Sequence, residues 1–110
     1  MRTKDRSALE HILEEIDFIS ETTKGMSYDE LVSNEDKKRS IAMTLINMGE
    51  LARLLSKEIR AENTQIPFAD IIGMRDVTAH GYKKLQFNFV WNTIKQSVPQ
   101  LDVDIRKLLS

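Results

Sequence analysis

The residues best suited to chemistry lie close together in the stretch Gly73-Met74-Arg75-Asp76-Val77-Thr78-Ala79-His80-Gly81-Tyr82, which carries a guanidinium, a carboxylate, an imidazole and a phenol. Arginine offers a planar fork of donors that suits phosphate oxygens, and histidine is the natural proton carrier near neutral pH. Together they suffice for phosphodiester cleavage without a metal. The imidazole would activate a ribose 2′-hydroxyl or protonate a leaving oxygen, and the guanidinium would stabilise the charge gathering on the phosphoryl oxygens. Only RNA supplies that internal nucleophile. On a helix Asp76 and His80 are i and i+4, so they share a face, and a hydrogen bond between them would fix the imidazole tautomer and raise its pKa. Arg75 and His80 are five apart, about 140° around an ideal helix. They converge only if the helix ends near His80, which Gly81 permits, or if a neighbouring helix or subunit closes the cleft.

The elements that must carry these residues are helices. Leu9, Ile12, Leu13, Ile16 and Ile19 recur at steps of three and four and predict an amphipathic helix over about residues 5–22, stopped at Gly25. Ser27 with Glu30 three residues on reads as a capping box before a short turn of helix through Val32, and Asn34 reads as a second cap. From there Ile41, Leu45, Met48, Ala52, Leu55 and Ile59 predict a long helix over about 35–61. A second apolar set (Ala42, Ile46, Leu51, Leu54) widens its stripe, as expected of a central helix or one that also meets another subunit. Pro67 suits the first turn of a helix running to about residue 79. A last helix over about 86–109 carries Phe87, Val90, Trp91, Ile94, Val98, Leu101, Ile105 and Leu108, with a kink or short break expected at Pro99. The expected fold is all-α, an antiparallel bundle of four to five helices forming a single domain over residues 1–110.

Composition narrows the function classes. With no cysteine among 110 residues, disulfide frameworks, thiolate zinc sites and cysteine nucleophiles are excluded. Residues His11, Glu14 and Glu15 have helical ligand spacing but no further ligand converges on them, so neither metal nor cofactor is expected. Net charge is −1, without the basic excess typical of nonspecific nucleic-acid binders, so contact with RNA would have to be local. No apolar run approaches the roughly 18 residues of a membrane span, and no secretory h-region opens the chain, which makes a soluble cytoplasmic protein the expectation. The run Lys37-Lys38-Arg39 beside Glu35 and Asp36 reads as a solvated face, and Phe87 and Trp91 as core or dimer-interface residues.

The segment Arg75-x4-His80-x-Tyr82, with Asp76 directly after the arginine, resembles the signature of the HepT branch of the HEPN superfamily. The likeness extends to Asn47-Met48-Gly49-Glu50 on the long helix, to Ile66-Pro67-Phe68 and Ile72-Gly73-Met74-Arg75 at the entry to the motif helix, and to Val90-Trp91 and Pro99-x-Leu101 near the end, covering about residues 5–109. The resemblance implies a helical bundle that dimerises to bring two motifs to one cleft, and a metal-independent ribonuclease acting as the toxin of a type VII-like toxin–antitoxin pair. It further implies Arg75 and His80 as catalytic residues, with Asp76 supporting or orienting them. Its partner would be a minimal nucleotidyltransferase antitoxin, similar to MntA, that transfers AMP from ATP to Tyr82. Lys83 and Lys84 are candidates to hold RNA phosphate or the nucleotidyl group, and Glu50 to support the motif from the long helix. A non-catalytic nucleotide-binding or adaptor module serving a nucleotidyltransferase is the alternative.

Overall fold

The computed structural model describes residues 1–110 and is helical from end to end, with no strand. Helix α1 spans Thr3–Thr23, α2 Tyr28–Val32, α3 Glu35–Arg53, α4 Lys57–Glu62, α5 Phe68–Ala79, α6 Phe87–Asn92 and α7 Val98–Leu109. A single 3₁₀ turn, Tyr82–Lys84, follows α5, and a π-helical turn, Thr93–Ser97, joins α6 to α7. The all-helical bundle expected from the periodicity is therefore present.

The core is the meeting of the apolar stripes. Leu9, Ile12 and Ile19 of α1, Ile41 and Ala52 of α3, and Val90 and Ile105 of the C-terminal segment are sealed from solvent. Each large aliphatic side chain so buried contributes about 1.5–3 kcal/mol. Helix α3 packs against α1 and against α5, and of its second apolar set Ala42 is buried while Leu54, just past its end, stays 51% exposed. Gly25 ends the first helical segment with φ +74°, a conformation natural to glycine. Ser27 and Glu30 form the expected capping box, and Asn34 accepts from the Lys37 N–H at 3.0 Å.

Two boundaries differ from the sequence expectation. The long helix expected over 35–61 stops at Arg53 and resumes as α4. Ser56 is the cause: its backbone is extended, its hydroxyl caps the Ile59 N–H, and its own N–H and hydroxyl donate to the two carboxylate oxygens of Asp5 at 2.8 and 2.7 Å. The apolar period runs through Leu55 and Ile59 without registering this break. At Pro99 the helical path continues, because the π turn just before it widens the backbone where the ring would otherwise press on the carbonyl of Lys95.

Asp5 is only 3% exposed. Burial works to raise its pKa, but the Ser56 hydroxyl, the Ser56 N–H and the charges of Arg2 and Lys4 outweigh it and hold the carboxyl below its usual range. Asp5→Ala strands two half-buried donors and should cost about 1–2 kcal/mol in urea unfolding at neutral pH. Because the folded-state pKa is depressed, that contribution is complete above the unfolded-state value and disappears as pH falls through the folded one. The gap between wild type and variant should therefore close below about pH 4, and a gap that stayed constant would show that the carboxylate charge is not what stabilises this joint.

No helix is long and apolar enough to cross a membrane.

Candidate active site

The site begins at the crossing of α3 and α5. A Cβ placed on Gly49 would overlap Cβ of Arg75 and lie 2.6 Å from its Cγ and 3.2 Å from the Ile71 carbonyl oxygen. Glycine is thus what lets the stem of Arg75 lie across α3. The next residue, Glu50, meets the head of that arginine: Oε1 is 2.5 Å from Arg75 Nε. The Nε–H does not point at the carboxylate and makes no aligned hydrogen bond, so the contact is an ion pair held by charge. Arg75 Nη1 donates to Asp76 Oδ1 at 3.1 Å, while Nη2 has no protein partner. From the last turn of α3, Arg53 Nη2 straddles both oxygens of Asp76 at 2.6 and 2.8 Å. Donation from Arg75 first, and from Arg53 next, keeps the Asp76 carboxyl below its ordinary pKa against the opposing effect of desolvation.

The expected bond between Asp76 and His80 is absent. The Asp76 carboxylate is taken by two guanidiniums through charge-assisted bonds. Only backbone joins the two residues, through the His80 N–H to the Asp76 carbonyl at 3.3 Å. His80 caps the C-terminus of α5 with its ring exposed and without a hydrogen-bonding partner. No hydrogen bond joins it to Arg75 within one chain.

Gly81, at φ +148°, turns the backbone after His80 as only glycine does readily, and the 3₁₀ turn then carries Tyr82 away to the start of α3. There the Tyr82 hydroxyl donates to the Glu35 carboxylate, and the Arg39 guanidinium lies 4.8 Å over the ring centroid. Lys38 and Arg39 both pair with Glu35, at 3.3 and 3.5 Å, and Lys38 also sits 5.6 Å over the Phe87 ring. The Glu35 bond raises the Tyr82 pKa, joined by desolvation and opposed by the Arg39 charge. Glu35 is lowered, chiefly by that same bond and then by Lys38 and Arg39. Lys38 and Arg39 are therefore not the purely solvated face their sequence context suggested, and with Glu35 and Arg53 they surround the motif residues in contacts that sequence reasoning missed. Lys83 and Lys84 are exposed and form no ion pair, and Lys84 borders the groove described next. Trp91 is half-buried, edge-on to Tyr28 at 6.2 Å.

Beside α5 runs an apolar groove of about 570 Å³, lined by Leu45 and Met48 of α3 and by Gly73, Met74 and Val77 of α5, and closed on its other side by Leu85, Phe89 and Val98. Val77 and Phe89 stand 53% and 59% exposed at its edge. No three His, Asp or Glu side chains are grouped to hold a metal ion, and His11 Nδ1 instead lies 2.7 Å from the Ser7 carbonyl oxygen.

The bundle thus pins one arginine edge, leaves an imidazole unbonded at the end of the same helix and stations a tyrosine just beyond it. Residues 12–108 match the family model described as ribonuclease HepT-like, and the chain belongs to this HepT-like family. It is 34% identical over 104 residues to a candidate RNase of Caldanaerobacter subterraneus subsp. tengcongensis, covering 94% of this chain and 93% of that one. A candidate RNase of Methanocaldococcus jannaschii is 33% identical over 94% of this chain and 86% of its own length. A protein of Thermococcus cleftensis named "Probable ribonuclease HepT" is 24% identical over 98% of each. No solved structure matches.

Proposed function

We propose that this HepT-like protein is the toxin of a toxin–antitoxin pair, a dimeric metal-independent endoribonuclease acting in the cytoplasm, silenced by AMP transfer to Tyr82. The observation that carries the reading is the division of labour on one helix: Arg75 is clamped with one edge free, and five residues on His80 has an unengaged ring. In the reaction His80 takes the proton of a ribose 2′-hydroxyl, whose oxygen attacks the adjacent phosphorus. The bond to the 5′-oxygen breaks, that oxygen is protonated by a second imidazole, and a 2′,3′-cyclic phosphate remains. The free edge of Arg75 stabilises the phosphoryl oxygens as charge builds on them.

Each chain brings one motif imidazole, because its other histidine, His11, sits on α1 with Nδ1 against the Ser7 carbonyl oxygen; a second motif imidazole comes from a second chain. The apolar groove beside the motif helix supports this, since a second copy would cover Val77 and Phe89 and bring two motifs to one cleft. The silencing partner is a minimal nucleotidyltransferase. Adenylylation breaks the Tyr82–Glu35 bond and adds a negative phosphodiester beside Lys38 and Arg39, which are positioned to receive it, with Lys83 and Lys84 next in the chain. The competing reading, a non-catalytic adaptor for that transferase, draws on the charge balance: net charge is −1, and Arg75, Arg53 and Arg39 each already face a carboxylate.

RNA cleavage in EDTA by purified protein, checked by intact mass to carry no AMP, separates the two. Wild type should cleave a broad RNA panel, and Arg75→Ala should do so about 10²–10³-fold more slowly. Arg75→Lys should recover little, because an ammonium cannot lean on Glu50 and Asp76 and still present a planar edge to phosphate. No cleavage by unmodified, dimeric wild type would overturn the ribonuclease reading in favour of the adaptor.

A further inference from the structure

An arginine placed between two carboxylates is poorly suited to binding phosphate. Arg75 stands between Glu50 and Asp76, and with those three residues alone the cluster would carry one net negative charge. An incoming phosphodiester would be repelled, and the guanidinium would serve as counter-ion to its own neighbours. The fourth member changes the balance. Arg53 reaches Asp76 from the last turn of α3, one helical turn beyond Glu50, and one of its nitrogens contacts both carboxylate oxygens. The row Glu50–Arg75–Asp76–Arg53 is then electrically neutral, with Arg75 held at Nε and Nη1 and free at Nη2. We infer that Arg53 is a positioning residue for the RNA-cleavage reaction: by neutralising and fixing Asp76 it keeps Arg75 oriented and available to the scissile phosphate.

This inference rests on the ribonuclease reading for its consequence and on the four-residue row for its geometry. Arg53 has no place in the Arg-x4-His-x-Tyr pattern, and lies 22 residues before Arg75 in the chain. It acts through Asp76, so its effect must depend on the Asp76 charge. Removing Arg53 leaves an unbalanced carboxylate beside Arg75, and removing that charge as well takes away the reason Arg53 is needed. A residue that touched RNA phosphate directly would behave differently, because its loss would add to the loss from Asp76; one that only tied α3 to α5 through Asp76 would leave the Arg75 side chain undisturbed.

The test is a double-mutant cycle of Arg53→Ala and Asp76→Asn, read as single-turnover RNA cleavage in EDTA. Arg53→Ala should slow the chemical step about tenfold with little change in KM, and Arg53→Ala/Asp76→Asn should cleave no more slowly than Asp76→Asn alone. Additive losses in the double variant, or a loss confined to KM with a shallower salt dependence, would overturn the inference. A second measurement makes the outcome independent of catalysis. The Arg75 Nε–H is shielded from water, so its side-chain ¹⁵N–¹H resonance, assigned with Arg75→Lys, should be observable. It should shift in Arg53→Ala while that of Arg60 stays in place. An unmoved Arg75 resonance would sink the proposed coupling even if wild type cleaves RNA. A moved resonance in a protein that cleaves nothing would support the row and reject only the ribonuclease reading.

Discussion

His80→Ala is expected to abolish RNA cleavage, slowing it by about 10²–10⁴-fold, the range by which a positioned acid–base group accelerates proton transfer. The fold should be untouched. The His80 ring is exposed and holds no hydrogen bond, and only its backbone N–H takes part in closing α5, which alanine preserves. Thermal unfolding of the variant should coincide with wild type, and so should its elution volume. That combination makes His80 a cleaner probe than Arg75, whose removal also leaves Glu50 unpaired and takes one of two guanidiniums from Asp76. In a dimer with one imidazole acting as base and the other as acid, a mixed dimer of one wild-type and one His80→Ala chain should fall well below half of wild-type activity. Retained cleavage by a folded His80→Ala protein would remove His80 from the mechanism, and half activity in the mixed dimer would mean that each chain works alone.

Much of the scaffold was legible because its signals are local. A stripe at steps of three and four marks a helix wherever it faces one core, and Ser27-x-x-Glu30, Asn34 and Gly25 act within a few residues of themselves. What the sequence concealed comes from partners remote in the chain. The end of α3 at Arg53 depends on Ser56 meeting Asp5, 51 residues away. The i,i+4 rule allows Asp76 to reach His80, but it carries no information about Arg53 arriving from another helix with a stronger claim on the same oxygens. Likewise Glu35 and Arg39 look like an ordinary i,i+4 pair until the turn at Gly81 sets Tyr82 against them. The resemblance picked out the motif residues and Glu50; their contacts required the packing of α3 on α5.

That packing supplies the second large effect. Alanine normally stabilises a helix relative to glycine by about 0.8–1.0 kcal/mol, so on propensity alone Gly49→Ala in α3 would be a gain. The crossing reverses the sign. The new methyl would occupy the space of Arg75 Cβ and press towards Cγ and the Ile71 carbonyl. Backbone and Cβ atoms cannot swing aside, so α5 must shift on α3, at a cost typical of overpacking, about 1–3 kcal/mol. The shift also carries Arg75 away from Glu50 and Asp76, and a misplacement near 1 Å lowers a reaction of this kind by about 10²-fold. Gly49→Ala should therefore both lower the unfolding midpoint and depress cleavage about 100-fold, largely in kcat. Gly73 provides the matched substitution on the partner helix, because a Cβ there meets nothing within 4 Å. Compared in the same assembly state, Gly73→Ala should leave Arg75 in place and stabilise the helix by about 0.5–1 kcal/mol. A Gly49→Ala protein as stable and as active as wild type would mean that α5 can settle at more than one distance from α3, and that Arg75 is not held by this crossing.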